Sequence, residues 1–148
     1  MGVSISDLNL ASTPDLVTVP DGTYEVAINS IGFALSSSGN MMLTALLDIV
    51  GEPNTKKVRY FMVLPTDDDD KEKADNKRRK MKTFCEAFKL DMEMFQTEVI
   101  NAANAFTDDR VDITAFNGYN ASAIITSRTN EGEEFNDIKR FVTEAVEL

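Results

Sequence analysis

The sequence predicts a mainly β domain of five strands, interrupted by helices between the third strand and the fourth. Three observations carry this. Apolar and polar residues alternate with a period of two in five separate segments, Gly, Pro, Asn and Ser cluster between them, and the period lengthens to that of a helix over residues 67 to 106 or so. A length of 148 residues with 43% hydrophobic and 27% charged side chains suits one domain with a core of its own.

Residues 1–18 show no sustained period and read as an N-terminal arm or loosely docked strand. Val19-Pro20-Asp21-Gly22 punctuates the entry to the first strand, Thr23 to Ile31, where Tyr24, Val26 and Ile28 share one face. The turn Ser36-Ser37-Ser38-Gly39-Asn40 leads to a second strand, Met41 to Val50, with Leu43, Ala45, Leu47 and Ile49 on one side. Gly51-Glu52-Pro53-Asn54 turns the chain again. The third strand, Lys56 to Leu64, places Val58, Tyr60, Met62 and Leu64 inward and Lys57, Arg59, Phe61 and Val63 outward. Three strands joined by short turns make a meander.

Ala74, Met81, Phe84, Cys85 and Phe88 then recur at helical spacing, preceded by Asp67 to Asp70, whose carboxylates suit a helix N-terminus. A second helical pattern runs through Phe95, Val99, Ala102, Ala103 and Phe106. Alternation returns from Ala121 to Arg128, Thr129-Asn130-Glu131-Gly132-Glu133 turns the chain, and Phe135 to Val142 forms the last strand. The resulting organisation is an arm over residues 1–18, a domain over 19–142 with its helical insertion at about 67–106, and a short acidic tail over 143–148.

Charge narrows the function. The formal net charge of -10 argues against an indiscriminate binder of duplex DNA or anionic membrane. The absence of histidine removes serine–histidine and cysteine–histidine catalysis and the commonest zinc ligand. A single cysteine, Cys85, excludes an internal disulfide and fits a reducing compartment. No apolar run reaches membrane-spanning length and the N-terminus lacks a secretory pattern, so a soluble intracellular protein is expected. Asp67 to Asp70 lack the spacing of a calcium loop, and no phosphate cradle or nucleophile elbow is present, so neither an enzyme nor a cofactor or metal is expected.

The positive charge is concentrated. Residues 1–55 carry six acids and no base, residues 56–82 ten bases and six acids, and residues 83–148 five bases and thirteen acids. The order of three meandering strands, a helix and two further strands is that of a five-stranded barrel of the OB type, whose helix plugs one barrel end and whose second and third strands expose an oligonucleotide-binding face. On the outward parity of the third strand, Lys57, Arg59 and Phe61 supply cations for phosphates and a ring for an unstacked base. Lys56, Phe33, Arg128 and Lys139 would frame the groove, although Phe33 also suits the core. The basic run Lys77-Arg78-Arg79-Lys80 with Lys82 wraps a helix and reads as a solvated face or an extension of the track.

Four short segments carry a resemblance: Val19-Pro20-Asp21-Gly22-Thr23-Tyr24-Glu25-Val26, Ser38-Gly39-Asn40 with Met42-Leu43, Phe84-Cys85-Glu86-Ala87-Phe88, and Glu134-Phe135-Asn136-Asp137-Ile138. Together they resemble a family of bacteriophage OB-fold proteins that bind single-stranded DNA. The resemblance implies a protein that coats single strands during phage replication or recombination in the cytoplasm of the infected bacterium, using the basic and aromatic face at Lys57, Arg59 and Phe61. The partners it implies are single-stranded DNA and phage or host replication and recombination proteins; no membrane is expected, and the sequence leaves the oligomeric state open, a homodimer included. The ending Thr143-Glu144-Ala145-Val146-Glu147-Leu148 is shorter than the acidic tails such proteins use for recruitment. The alternative is an acidic module that docks on a basic protein and mimics nucleic acid.

Overall fold

The computed structural model describes residues 9–143. A 3-10 turn at Leu10–Ser12 precedes the strands β1 (Gly22–Leu35), β2 (Met41–Ile49) and β3 (Val58–Val63). The helices α1 (Lys71–Phe88) and α2 (Met92–Ala105) follow, then β4 (Val111–Ile113), β5 (Asn120–Asn130) and β6 (Glu133–Val142). The strands form one antiparallel sheet of six, in the order β3-β2-β1-β5-β6, with β4 also paired to β1.

Each expected strand is present, and β4 is additional. The fourteen residues of β1 are long enough to hold β5 along Gly22 to Ala27 and β4 along Ile31 to Phe33, while β2 covers the other edge. A β-bulge controls which side chains of β1 face inward. Ile28 pairs with Leu47 and Ser30 with Leu46, so Asn29 is the extra residue, and the buried parity passes from Val26 and Ile28 to Ile31 and Phe33. A second bulge leaves Lys139 unpaired in β6, between Arg140 opposite Ile124 and Ile138 opposite Ile125. The β5–β6 hairpin turns on Glu131 and Gly132, both at positive φ, the two-residue geometry that matches strand twist.

The expectation of a closed barrel is corrected. The hydrogen-bonded path runs from β3 to β6 and stops, so the sheet is open between those two edges. Side chains span the gap instead. Tyr60 of β3 meets Phe141 of β6 edge-to-face at 4.9 Å between ring centres, and Phe84 of α1 stacks on Tyr60 at 5.8 Å and meets Phe141 at 5.9 Å. The helices therefore lie against the core face of an open sheet, where a plug at one end of a closed barrel was expected. Phe88 meets Phe141 at 5.4 Å, and Phe95 meets Phe116 at 5.7 Å. Aromatic contacts of this kind each add about 0.5–1.5 kcal/mol beyond the area they bury.

Both helices start where the sequence places carboxylates. The Asp70 side chain accepts from the Lys73 amide at 2.8 Å, and the Asp91 side chain accepts from the Met94 amide at 2.9 Å. Phe84, Cys85, Ala87 and Phe88 of α1 and Phe95, Val99 and Ala102 of α2 are buried, as their spacing requires.

The end of the arm enters the open seam. The Val17 amide donates to the Asn54 carbonyl and the Lys56 amide donates to the Val17 carbonyl, each at 2.9 Å, which adds a short parallel bridge beside Thr55. Two residues on, the Val19 amide donates to Asn136 Oδ1 at 2.9 Å and Asn136 Nδ2 donates to the Val19 carbonyl at 3.0 Å. The Asn136 carboxamide thus takes the place that a backbone peptide would hold in a ladder. Lys56 Nζ completes the closure, donating to Glu133 Oε2 at 2.9 Å and to the Glu134 carbonyl at 2.6 Å. The acidic tail lies almost wholly outside the described residues.

Candidate nucleic-acid interface

The outer face of the sheet is built from the parity opposite the core. Across β2 and β3, Thr44 pairs with Phe61, Leu46 with Arg59 and Met42 with Val63. The Phe61 ring is 45% exposed and Arg59 is exposed, whereas Val58 and Met62, which alternate with them, are fully buried. Adjacent same-face positions on a strand are about 6.7 Å apart, so cation and ring stand next to each other along β3. Arg59 has no ion-pair partner among the described residues.

Near the start of β3 the open seam leaves a cavity of about 380 Å³ lined by Lys56, Lys57 and Arg59 together with Leu16, Leu46 and Phe135. Phe135 organises its cations. Lys56 Nζ lies 4.7 Å and Arg128 Cζ 4.8 Å from its ring centre. Of these cations, all but Arg59 also meet an acid: Lys56 with Glu133 at 2.9 Å, Lys57 with Asp48 at 3.0 Å and Arg128 with Asp137 at 2.6 Å. The Lys57 and Arg128 pairs are exposed, and such pairs contribute at most about 1 kcal/mol, so a phosphate can compete for those two cations without a large penalty.

On the other side of Thr44 lies Gly32 of β1, its direct partner across the ladder, and Asp112 of β4 pairs with Gly32 in turn. The Arg110 side chain runs over Gly32, held by Asp112 Oδ1 at 2.9 Å and near Ser30 Oγ at 3.4 Å. A Cβ on Gly32 would stand 1.9 Å from Arg110 Nε, so only glycine leaves room for the guanidinium here. Phe61, Thr44, Gly32 and Arg110 therefore form one row across three strands, a ring at one end, a guanidinium at the other and small side chains between.

Six of the seven expected site residues are on the surface or in the cavity. Lys56 and Arg128 stand over the Phe135 ring, Lys57 and Arg59 line the cavity beside it, Phe61 stands farther along β3, and Lys139 is exposed at the bulge of β6. Phe33 is a correction. The bulge at Asn29 turns it inward, where it is 1% exposed and meets Phe106 edge-to-face at 5.5 Å. Arg110, Gly32 and Phe135 had no signal in the sequence beyond an isolated arginine among acids and an aromatic near a turn.

The basic run on α1 is largely absorbed. Asp75 takes Lys71 and Arg78 at 2.8 and 3.0 Å, and Asp69 takes Lys77 at 2.8 Å. The hydrogen bond from Lys71 holds the Asp75 carboxyl below its ordinary range, and that from Lys77 does the same for Asp69. Lys80 sits 4.7 Å over the Tyr60 ring, where burial lowers its pKa and raises that of Tyr60. Among the described residues no cluster of His, Cys, Asp and Glu is placed to hold a metal, and no helix is long and apolar enough to cross a membrane.

The family model described as "Protein of unknown function (DUF669)" matches residues 7–146. The chain belongs to that family. No curated protein matches it. The match spans the arm from residue 7, the sheet and both helices, so in this DUF669 protein the Phe135 cavity and the Arg110 row both lie within the family's domain.

Proposed function

We propose that this DUF669 protein is a non-enzymatic binder of single-stranded DNA with little sequence preference. In this reading the strand lies on the outer face of β2 and β3, coated and protected during phage replication or recombination in the cytoplasm of the infected bacterium. The observation that carries the reading is Phe61, a large ring left exposed in line with Arg59, which has no ion-pair partner among the described residues, on a strand whose Val58 and Met62 face the core and are fully buried. A flat ring stacks on any base, which is why such recognition tolerates sequence. Arg59, Lys57 and Lys56 would meet phosphates on one side and Arg110 on the other, with Arg128 and Lys139 at the margin. The resemblance of the four segments quoted above to phage single-strand binders points the same way.

The test is a titration with labelled oligothymidine and with duplex of equal length at two salt concentrations. Tighter binding of the single strand, weakened as salt rises, is the expected result. Replacing Phe61 by Ala removes one stacking contact, worth about 1–3 kcal/mol, so affinity falls by about 5- to 150-fold while the melting temperature holds. Equal affinity for both forms, or a Phe61→Ala variant that binds as well as the parent, overturns the proposal. The engagement of Lys56, Lys57 and Arg128 by the chain's own acids favours the acidic-module alternative. That alternative requires no oligonucleotide binding and salt-sensitive capture of a basic DNA-binding protein.

A further inference from the structure

The two helices enclose a groove of about 660 Å³ that shares no residue with the outer face of the sheet or the Phe135 cavity. Its α1 wall takes residues from Asp75 to Cys85 and its α2 wall from Met92 to Ile100, each a single stripe at helical spacing. At 1.5 Å per residue those walls are about 15 and 12 Å long, room for two to three turns of a third helix. The floor is apolar. Met81 of α1 and Phe95, Val99 and Ile100 of α2 form it, and Ile100 is 58% exposed.

The rim is cationic on one side only. Arg79 and Lys82 are exposed on the α1 wall and have no acid partner among the described residues, whereas Lys71, Lys77 and Arg78 of the same helix do. The one acid on the rim, Asp75, is occupied by Lys71 and Arg78. Glu93 and Glu98 of α2 do not line the groove. In a chain of net charge -10, two exposed cations that meet no acid among the described residues, Arg79 being bonded only to the neutral Asn76, stand beside an apolar floor with Ile100 exposed, which is complementary to a ligand that is both acidic and apolar.

We infer that this groove docks an amphipathic acidic helix of a partner protein, its apolar face on Met81 and Ile100 above the buried Phe95 and Val99, and its carboxylates toward Arg79 and Lys82. A nucleic acid fits less well. The only ring of the floor, Phe95, is 3% exposed and packed against Phe84 and Phe116, so it offers no stacking surface. Helix-in-groove recognition needs apolar anchors at i, i+3 or i+4 and i+7, and the length of the walls matches that span.

The probe is a fluorescent, end-capped peptide of about twelve residues with leucines at i, i+3, i+4 and i+7 and glutamates elsewhere, titrated with the full chain. Two control peptides have the same composition scrambled and lysine in place of glutamate. Saturable binding of the first peptide and not of the controls is expected. Ile100→Glu and the double change Arg79→Glu with Lys82→Glu alter exposed positions, so both variants fold, and each weakens binding at least about tenfold. Phe61→Ala leaves peptide affinity unchanged, which separates this site from the proposed DNA face. The inference is overturned if the peptide fails to bind, if a control binds equally, if Ile100→Glu has no effect, or if oligothymidine displaces the peptide. It is also overturned if the chain dimerises by sedimentation and Ile100→Glu dissociates the dimer, since a second copy then fills the groove.

Discussion

Replacing Asn136 by Ala tests whether a side chain holds the open edge of the sheet. Asn136 is the only buried polar residue among those described, 6% exposed, and its carboxamide satisfies both the amide and the carbonyl of Val19 at 2.9 and 3.0 Å. A third, longer contact runs from Asn136 Nδ2 to the Thr126 carbonyl at 3.4 Å. Alanine leaves the Val19 amide and carbonyl without those partners. Each such group costs about 1–3 kcal/mol when buried, but Val19 lies next to exposed Pro20 and water can reach part of the site, so the loss is about 2–4 kcal/mol. For a chain of this size each kcal/mol lowers the melting temperature by about 2–4 °C, which gives a fall of about 5–15 °C by calorimetry. Hydrogen exchange adds a local readout: the Val19 amide loses protection before the amides shared by β1 and β2. A melting temperature within about 2 °C of the parent would refute the reasoning and make the arm's attachment incidental.

Three further outcomes follow from the same geometry. Gly32→Ala forces the Arg110 guanidinium off β1 at little cost in stability, and it lowers affinity for oligothymidine to the level of Arg110→Ala; unequal losses would separate the two residues. Arg110→Ala removes one phosphate contact, so the slope of log affinity against log salt shrinks by about 0.7, and an unchanged slope places Arg110 off the strand. Burial, followed by the charge of Glu86, pushes the Cys85 thiol up to about 12. The unfolded chain therefore releases this proton first, near its ordinary value of 9.0, and stability falls as pH rises from there toward about 12. Cys85→Ala removes that part of the alkaline loss, and parallel pH profiles for parent and variant would contradict it.

Strands and helices were legible because their signals are local. The alternation in Met41 to Ile49 and the stripe through Ala74, Phe84, Cys85 and Phe88 each report one element's own buried face, and the aspartate run ending at Asp70 marks the start of the first helix directly. The outward set Lys57, Arg59 and Phe61 was legible for the same reason. What depends on two distant segments was not. Barrel closure is a question of whether β3 and β6 meet, and alternation within each strand is identical in both outcomes. Phe33 suited both the groove and the core from the sequence, and its burial follows from one inserted residue, Asn29, which inverts the parity of β1 downstream of it. β4 has three residues, too few for any period, and the Arg110–Gly32 contact joins positions far apart in the chain.

The unclosed edge has a consequence for how the cavity beside Phe135 acquires its size. Backbone ladders hold neighbouring strands about 4.8 Å apart whatever their side chains are. Between β3 and β6 that spacer is missing, and the distance is set by Tyr60, Phe141, Phe84, Lys56 and Asn136. The aperture is thus written in replaceable letters: a smaller or larger residue at one of these positions resizes the mouth while the hydrogen-bonded strands on either side keep their register.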